Sequence, residues 1–374
     1  MSGTYTLVLW GHLLCTALIL KLINFIFPSL TIFICSCVSS YILWICFAAL
    51  TFQFTKGKFL NERVEAGNKA VLITGCDSGF GNMLAKRLDS KGFHVFASCL
   101  NTESEGASKL KAKCSNRLHI LPLDVTKNES VEKAVEYVKA NLGSSELWAI
   151  VNNAGIFKGL SVEMCTLDDF KDVYDVNLMG VVRVTKAFLP LLKKSKGRIV
   201  NVTSHGGKVA LPFFAAYLSS KFAAIGLTDC LRHEVGMEGI SVVSIEPEIF
   251  YTPIIYESTK DQLNSMGSQG SSIEDDHGED FKKSLKDLGN VFMSFASRDT
   301  SIVIDDLEAA ISLVHPDHTY KPRRNALCRF LCFCHEKMPK SFKILFFKIV
   351  LFIFFSDSKI LKNIVMKIIS IILK

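Results

Sequence analysis

The chain has 374 residues, 49% of them hydrophobic, with a formal net charge of +7 and a mean hydropathy of +0.29; that length holds one large domain or two and buries a sizeable core. The apolar excess sits at the two ends, which excludes a uniformly polar globule and argues for membrane attachment of an ordinary globular middle. Many lysines lie in the apolar C-terminal tail, from Lys337 through Lys343, Lys348, Lys359, Lys362 and Lys367 to Lys374, a mixture that suits an anionic membrane surface and argues against nucleic acid.

Residues 1–55 read as a membrane anchor. Nearly everything from Tyr5 to Phe54 is apolar. With about 20 residues needed per span, the stretch holds two transmembrane helices, near 5–27 and 30–54, with a turn at Pro28 and Ser29. A single span is the competing reading, because Lys21 can pull the first segment to the interface. The length of the stretch and the lack of a basic leader argue against a cleaved signal peptide. Lys56, Lys58, Arg63 and Lys69 follow around a linker at 56–68, and the positive-inside rule places the next domain in the cytosol.

Residues 70–73 form an apolar run that leads into Thr74, Gly75, Asp77, Ser78, Gly79, Phe80 and Gly81. Glycines at this spacing between a strand and a helix permit a tight turn and close approach of a pyrophosphate to the helix N-terminus. A second strand, 94–97, has no acidic or basic residue at its tip, and the glycine loop has no Arg or Lys. With Asp77 repelling a 2′-phosphate, NAD is favoured over NADP. A third strand at 118–123 ends at Asp124; a helix follows over 129–141, and a fourth strand at 148–151 runs into Asn152, Asn153, Ala154 and Gly155. This alternation predicts an α/β, Rossmann-type doubly wound parallel sheet with helices on both faces and ligands at the carboxyl ends of the strands. The next helix, 167–194, carries Asn177, a poor helix former.

A strand beginning at Arg198 delivers Ser204, and 13 positions later a helix carries Tyr217 and Lys221. Residues i and i+4 lie one above the other on a helix, so the Lys221 ammonium is expected beneath the Tyr217 phenol. A neighbouring cation favours phenolate and lowers a tyrosine from its reference pKa of about 10, making it a base near neutral pH. A last strand, 241–245, is followed by Pro247, Glu248 and Thr252. The polar residues 257–289 read as a substrate lid ahead of a closing helix at 302–314. Residues 342–374 mix Phe, Ile and Lys, predicting an amphipathic or re-entrant membrane contact in preference to a third span.

Twelve cysteines show no regular framework, so reduced, mostly buried thiols are expected. Cys328, Cys332, Cys334 and His335 match no standard zinc spacing, and no metal is expected. The sequons at Asn128 and Asn201 are expected to carry no sugar, the second lying in a buried strand.

The set Thr74, Gly75, Gly79, Gly81, Asn152 to Gly155, Asn177, Ser204, Tyr217 and Lys221 resembles the short-chain dehydrogenase/reductase family over roughly residues 68–325. Finer runs, from Thr74 to Gly81, from Leu147 to Gly155 and from Phe188 to Val202, point to one branch. That branch includes the membrane-bound 17β- and 11β-hydroxysteroid dehydrogenases of type 2, the retinol dehydrogenases and 3-hydroxybutyrate dehydrogenase. The double apolar N-terminus is most similar to the 17β type. The resemblance implies a catalytic domain over 69–325 and a membrane-associated tail over 326–374. It implies that Tyr217 takes the proton of an alcohol as hydride leaves for the nicotinamide, with Lys221 tuning Tyr217 and holding the ribose. Ser204 would stabilise charge on the substrate oxygen, and Asn177 would position a water leading from Lys221 to solvent. Thr74, Gly75, Ser78, Gly79, Phe80, Gly81, Asp124, Asn152, Ala154, Pro247 and Thr252 would frame the cofactor.

The expected function is therefore oxidation of a hydroxyl on a lipophilic substrate, of 17β-hydroxysteroid type, by an enzyme of the endoplasmic reticulum membrane. Retinol and 3-hydroxybutyrate are the alternatives, and a homodimer through the helices carrying Asn177 and Tyr217 is implied. One departure opens a different class of function. Glu248 stands where the family has glycine; at positive φ it would cost about 1 kcal/mol or more and bring a carboxylate near the nicotinamide. That would suit a weakly active, NAD-binding membrane scaffold.

Overall fold

Short apolar runs separated by helices long enough to cross back to the same edge pair in parallel. In the computed structural model, which describes residues 3–29, 40–158, 161–254, 287, 289–290 and 296–355, the strands are β1 Lys69–Ile73, β2 His94–Cys99, β3 Leu118–Pro122, β4 Glu146–Asn152, β5 Arg198–Val202, β6 Ser241–Ile245 and β7 Thr319–Tyr320. They form one parallel sheet in the order β3-β2-β1-β4-β5-β6-β7. Strand order reverses between β1 and β4, the place where open α/β sheets gather ligands. The short β7 escaped sequence reasoning, because two residues carry no alternation to read.

The chain divides into two units, residues 1–64 with 312–315, and residues 65–311 with 316–374. In the larger unit the crossovers are α3 Gly79–Ser90, α4 Glu105–Lys113, α5 Asn128–Asn141, α6 Leu167–Tyr174, α7 Val181–Ser195, α8 Ala215–Gly236 and α9 Ser301–Ser312. Two further helices, α10 Ala326–Lys337 and α11 Lys340–Phe355, follow the sheet. The core sits between the sheet and α5 and α7, where Leu72, Ile150 and Ile199 meet Val131, Val138, Phe188 and Leu192. Trp148 Nε1 donates to the Ile311 carbonyl at 2.9 Å, fixing α9 against β4. Between α6 and α7 the helix widens into a π turn, Asp175–Gly180, which contains Asn177. Such bulges place a side chain where a regular helix would not.

The smaller unit holds two helices, α1 Gly3–Ile26 and α2 Ser40–Phe59, which pack with the His12 ring edge-on to Phe52 at 5.3 Å. Among the described residues no helix is long and apolar enough to cross a membrane, so the expected spanning hairpin finds no support there, and its turn region at 30–39 lies outside the described residues. Leu7, Trp10, Leu14, Leu18, Leu22 and Phe25 of α1 remain exposed. The polar stretch at 257–289, expected as a lid, lies almost wholly outside the described residues.

Phe188 is fully buried against the sheet. Phe188→Ala is expected to destabilise the larger unit by about 3–5 kcal/mol, through lost transfer energy and a cavity, read as a lower urea midpoint at unchanged slope.

Candidate active site

The loop after β1 is shaped by what its glycines leave out. Gly75 and Gly79 have φ of 71° and 59°, the left-handed region. A Cβ on Gly75 would lie 2.9 Å from Ala154 Cα, so the loop lies directly on the end of β4. Thr74 locks this approach: its buried hydroxyl accepts from the backbone N–H of Asn153 (3.0 Å) and Ala154 (2.9 Å) and donates to the Val151 carbonyl. Asp77 reaches the end of β2, accepting from the N–H of Leu100 (2.9 Å) and Asn101 (3.0 Å).

These residues open onto a cavity of about 830 Å³, within the usual range for small-molecule sites. Gly75, Asp77, Ser78, Gly79, Phe80, Asp124 and Ala154 line one part of it. Ser204, Tyr217, Lys221, Pro247 and Thr252 line another. Strand β5 ends just before Ser204, whose Oγ accepts from Gly206 N at 3.0 Å. Tyr217 and Lys221 come from the first turns of α8, and Phe157 meets the Tyr217 ring edge-on at 5.1 Å.

Burial sets the proton chemistry. It pushes the Tyr217 phenol up to about 12, and the hydrogen bond with Ser204 pulls the other way. It pushes the Lys221 ammonium down to about 8. Lys221 Nζ donates to the Val202 carbonyl at 3.1 Å and stands 5.6 Å from the Tyr217 ring centroid. The stacked pair expected from i, i+4 spacing is therefore present, and burial acts on the phenol in the direction opposite to the tuning expected of Lys221. Desolvation of the phenolate outweighs a cation whose own charge is being disfavoured.

Four expected site residues stand behind the cavity wall and do not line it. Thr74 holds the loop, and Gly81 lets α3 approach, since a Cβ there would lie 2.5 Å from the Gly75 carbonyl oxygen. Asn152 does not line the cavity. Its side chain turns into the sheet and donates to Asn201 Oδ1 (2.8 Å) and Thr185 Oγ1 (3.2 Å), because β4 and β5 pair these asparagines in register. The neighbouring Asn153 lines the cavity instead. Asn177 accepts from Ile156 N (2.8 Å) and donates to Ile156 O (2.9 Å) and Ser220 Oγ (3.1 Å), tying the post-β4 loop to the helix of Tyr217 and Lys221. Asn201, a candidate sequon, is buried and donates to Thr228.

Sequence reasoning missed the residues that close the cavity from the C-terminal side: Arg324, Cys328, Leu331 and Cys332. The i, i+3, i+4 spacing of the last three marks a helix face but does not say what that face meets. The strain expected at Glu248 is corrected too. Among the described residues the non-glycine positions with positive φ are Lys196 and Phe213, and the Glu248 carboxylate is taken by Arg324, with Oε1 3.2 Å from Nε. Among the described residues no cluster of His, Cys, Asp or Glu forms a metal site.

A left-handed, Cβ-free loop at the N-terminus of α3, beside the strand-order reversal, fits the pyrophosphate of a dinucleotide. Residues 69–263 match the short chain dehydrogenase family. The chain belongs to that family and is an oxidoreductase of the NAD(P)-dependent alcohol dehydrogenase type. It is similar to retinol dehydrogenase 7 of Mus musculus, 38% identical over 283 residues, 74% of this chain and 89% of the relative. It is also similar to 17-beta-hydroxysteroid dehydrogenase type 2 of Homo sapiens, 39% identical over 282 residues, 73% of this chain and 72% of the relative. A solved short chain dehydrogenase/reductase from Burkholderia phymatum, in complex with NAD, superposes with a TM-score of 0.60 at 21% identity, over 73% of this chain and 95% of that one. That last likeness concerns the fold alone.

The buried lysine leaves a signature in stability. Its folded pKa of about 8 lies below the unfolded value of about 10.4, so the unfolded chain binds more protons and stability rises from about pH 8 to pH 10. Above about pH 10 the raised Tyr217 reverses the slope, because the unfolded chain then loses its phenol proton first. Lys221→Met is expected to keep or raise the melting temperature at pH 7 and to flatten the rise between about pH 8 and pH 10, measured by circular dichroism.

Proposed function

We propose that this protein oxidises a secondary hydroxyl of a lipophilic substrate, of 17β-hydroxysteroid type, with NAD as the electron acceptor. The observation that carries the reading is the single cavity onto which the glycine loop, Ser204, Tyr217 and Lys221 all open. A bound nicotinamide dinucleotide supplies the two-electron hydride acceptor. Tyr217, once its own proton has passed to solvent, takes the hydroxyl proton as phenolate, and Ser204, hydrogen-bonded to Tyr217, steadies the charge that develops on the substrate oxygen. Lys221, seated by the Val202 carbonyl, offers its remaining N–H groups towards the cavity and the ribose. Asn177 acts by holding Ile156 and Ser220 in place, and through them the helix of Lys221.

Asp77 supports NAD. Its carboxylate lines the cavity at the tip of β2, where it opposes a 2′-phosphate, and the cationic side chains lining the cavity, Lys221 and Arg324, come from α8 and the segment before α10. The wall made by Ile156, Phe157, Leu211, Phe214, Leu218 and Leu331 suits a rigid apolar body. A short hydroxy acid such as 3-hydroxybutyrate is disfavoured, since Arg324 is already paired with Glu248. The same pairing, with no strain at Glu248, supports an active enzyme over a scaffold without turnover. Retinol, the alcohol in the name of one relative, is the second substrate to assay.

Estradiol, testosterone and retinol are to be tested with NAD and NADP. Tyr217→Phe is expected to cut turnover about 10²–10⁴-fold with cofactor binding kept; turnover that survives would overturn the mechanism. Because Tyr217 rests protonated, with its pKa near 12, oxidation should quicken from about pH 7 to pH 10 and the reverse reduction should slow.

Attachment to the surface of an endoplasmic-reticulum type membrane completes the reading. Phe330, Phe333, Phe342, Ile344, Phe346 and Phe352 are exposed on α10 and α11, with Lys337, Lys340 and Lys348 among them, a composition suited to an anionic lipid interface. The protein should float with phosphatidylserine-containing liposomes, and Phe330→Ser with Phe333→Ser and Phe346→Ser should release it. Wild type left at the bottom of the gradient would end this part of the proposal.

A further inference from the structure

Helix α10 has two faces with different surroundings. Cys328, Leu331 and Cys332 line the cavity, Leu331 at its open rim, while Leu327, Phe330 and Phe333 are exposed on the other side. A wall of one helix, open to solvent behind, keeps its place only if its ends are held. Both are. At the N-terminal end, Glu248 Oε1 accepts from Arg324 N (2.6 Å) and Arg324 Nε (3.2 Å), and Asn325 Oδ1 then caps the helix through Cys328 N at 2.7 Å. At the C-terminal end, Glu336 pairs with Lys321 at 2.8 Å and lies 3.4 Å from His205. Arg323 Nη2 donates to His205 Nδ1 at 2.9 Å and Nη1 to the Glu246 carbonyl at 2.7 Å. His205 follows Ser204, and burial beside Arg323 pushes it down to about 4, so it stays a neutral acceptor.

Glu248 is therefore a tie between the loop after β6 and the helix closing the cavity. Its side chain is 9% exposed and that of Arg324 13%; a charge pair so nearly buried is costly to break from one side. We infer that Glu248 is a positioning residue for the alcohol substrate: its carboxylate fixes α10 as the substrate wall, so that it governs binding of the alcohol and leaves hydride transfer and cofactor binding alone. The inference rests on the alcohol-oxidising reading above.

The test compares Glu248→Ala and Glu248→Gln in the full-length enzyme, with hydrogen exchange of residues 326–337 measured beside kinetics. Glu248→Ala should raise KM for the alcohol about tenfold, with kcat and NAD affinity within about twofold, and amides of 326–337 should exchange faster. Glu248→Gln, whose amide oxygen still accepts from Arg324, should restore most of both. An Ala variant with unchanged KM and unchanged exchange overturns the inference. So does a fall in kcat and NAD affinity at constant KM, which would place the carboxylate at the reaction centre. If wild type oxidises none of the alcohols, the functional reading fails, and the exchange of 326–337 still decides whether Glu248 holds α10.

Discussion

The Thr74 hydroxyl joins the carboxyl ends of β1 and β4, where the strand order reverses, by accepting two backbone N–H groups and donating to a carbonyl. Buried backbone groups at a sheet edge need partners, and here one side chain supplies them for both strands. The glycine loop can then lie within van der Waals reach of Ala154. The same parallel register brings the ends of β5 and β6 to that edge, so Ser204 and Pro247 reach the cavity from neighbouring strands. The site depends on this alignment more than on any one functional group.

Within the site, desolvation is the dominant electrostatic effect. It raises the phenol of Tyr217 and lowers the ammonium of Lys221, moving each group towards its neutral form. A buried lysine and a buried tyrosine are unfavourable for folding and useful for proton transfer, the usual exchange at catalytic sites. The hydrophobic core between the sheet and α5 and α7 supplies the stability that tolerates them.

Charge pairs play a different part on the C-terminal side. Glu248 with Arg324 lies where helix α10 meets the cavity, and Glu336 with Lys321 lies at the far end of the same helix. Pairs of this kind add little net stability against apolar residues of the same volume, but they fix geometry because a misplaced partner leaves a buried charge. A helix with lipid-like residues on its outer face and cavity-lining residues on its inner face needs such fixing.

The sequence by itself determined the sheet and the spacing of the candidate site residues. Runs such as residues 70–73 and 241–245 read as buried strands, glycines at 75 and 79 can take a left-handed loop, and Tyr217 and Lys221 share a helix face by spacing alone, since these are local consequences of backbone geometry. Tertiary structure decided what local pattern cannot encode. Asn152 faces Asn201 because β4 pairs with β5, far along the chain. Glu248 is unstrained and paired because Arg324 arrives from 76 residues away. The Tyr217 phenol is pushed up by burial, which depends on everything packed around it and which spacing along one helix does not encode.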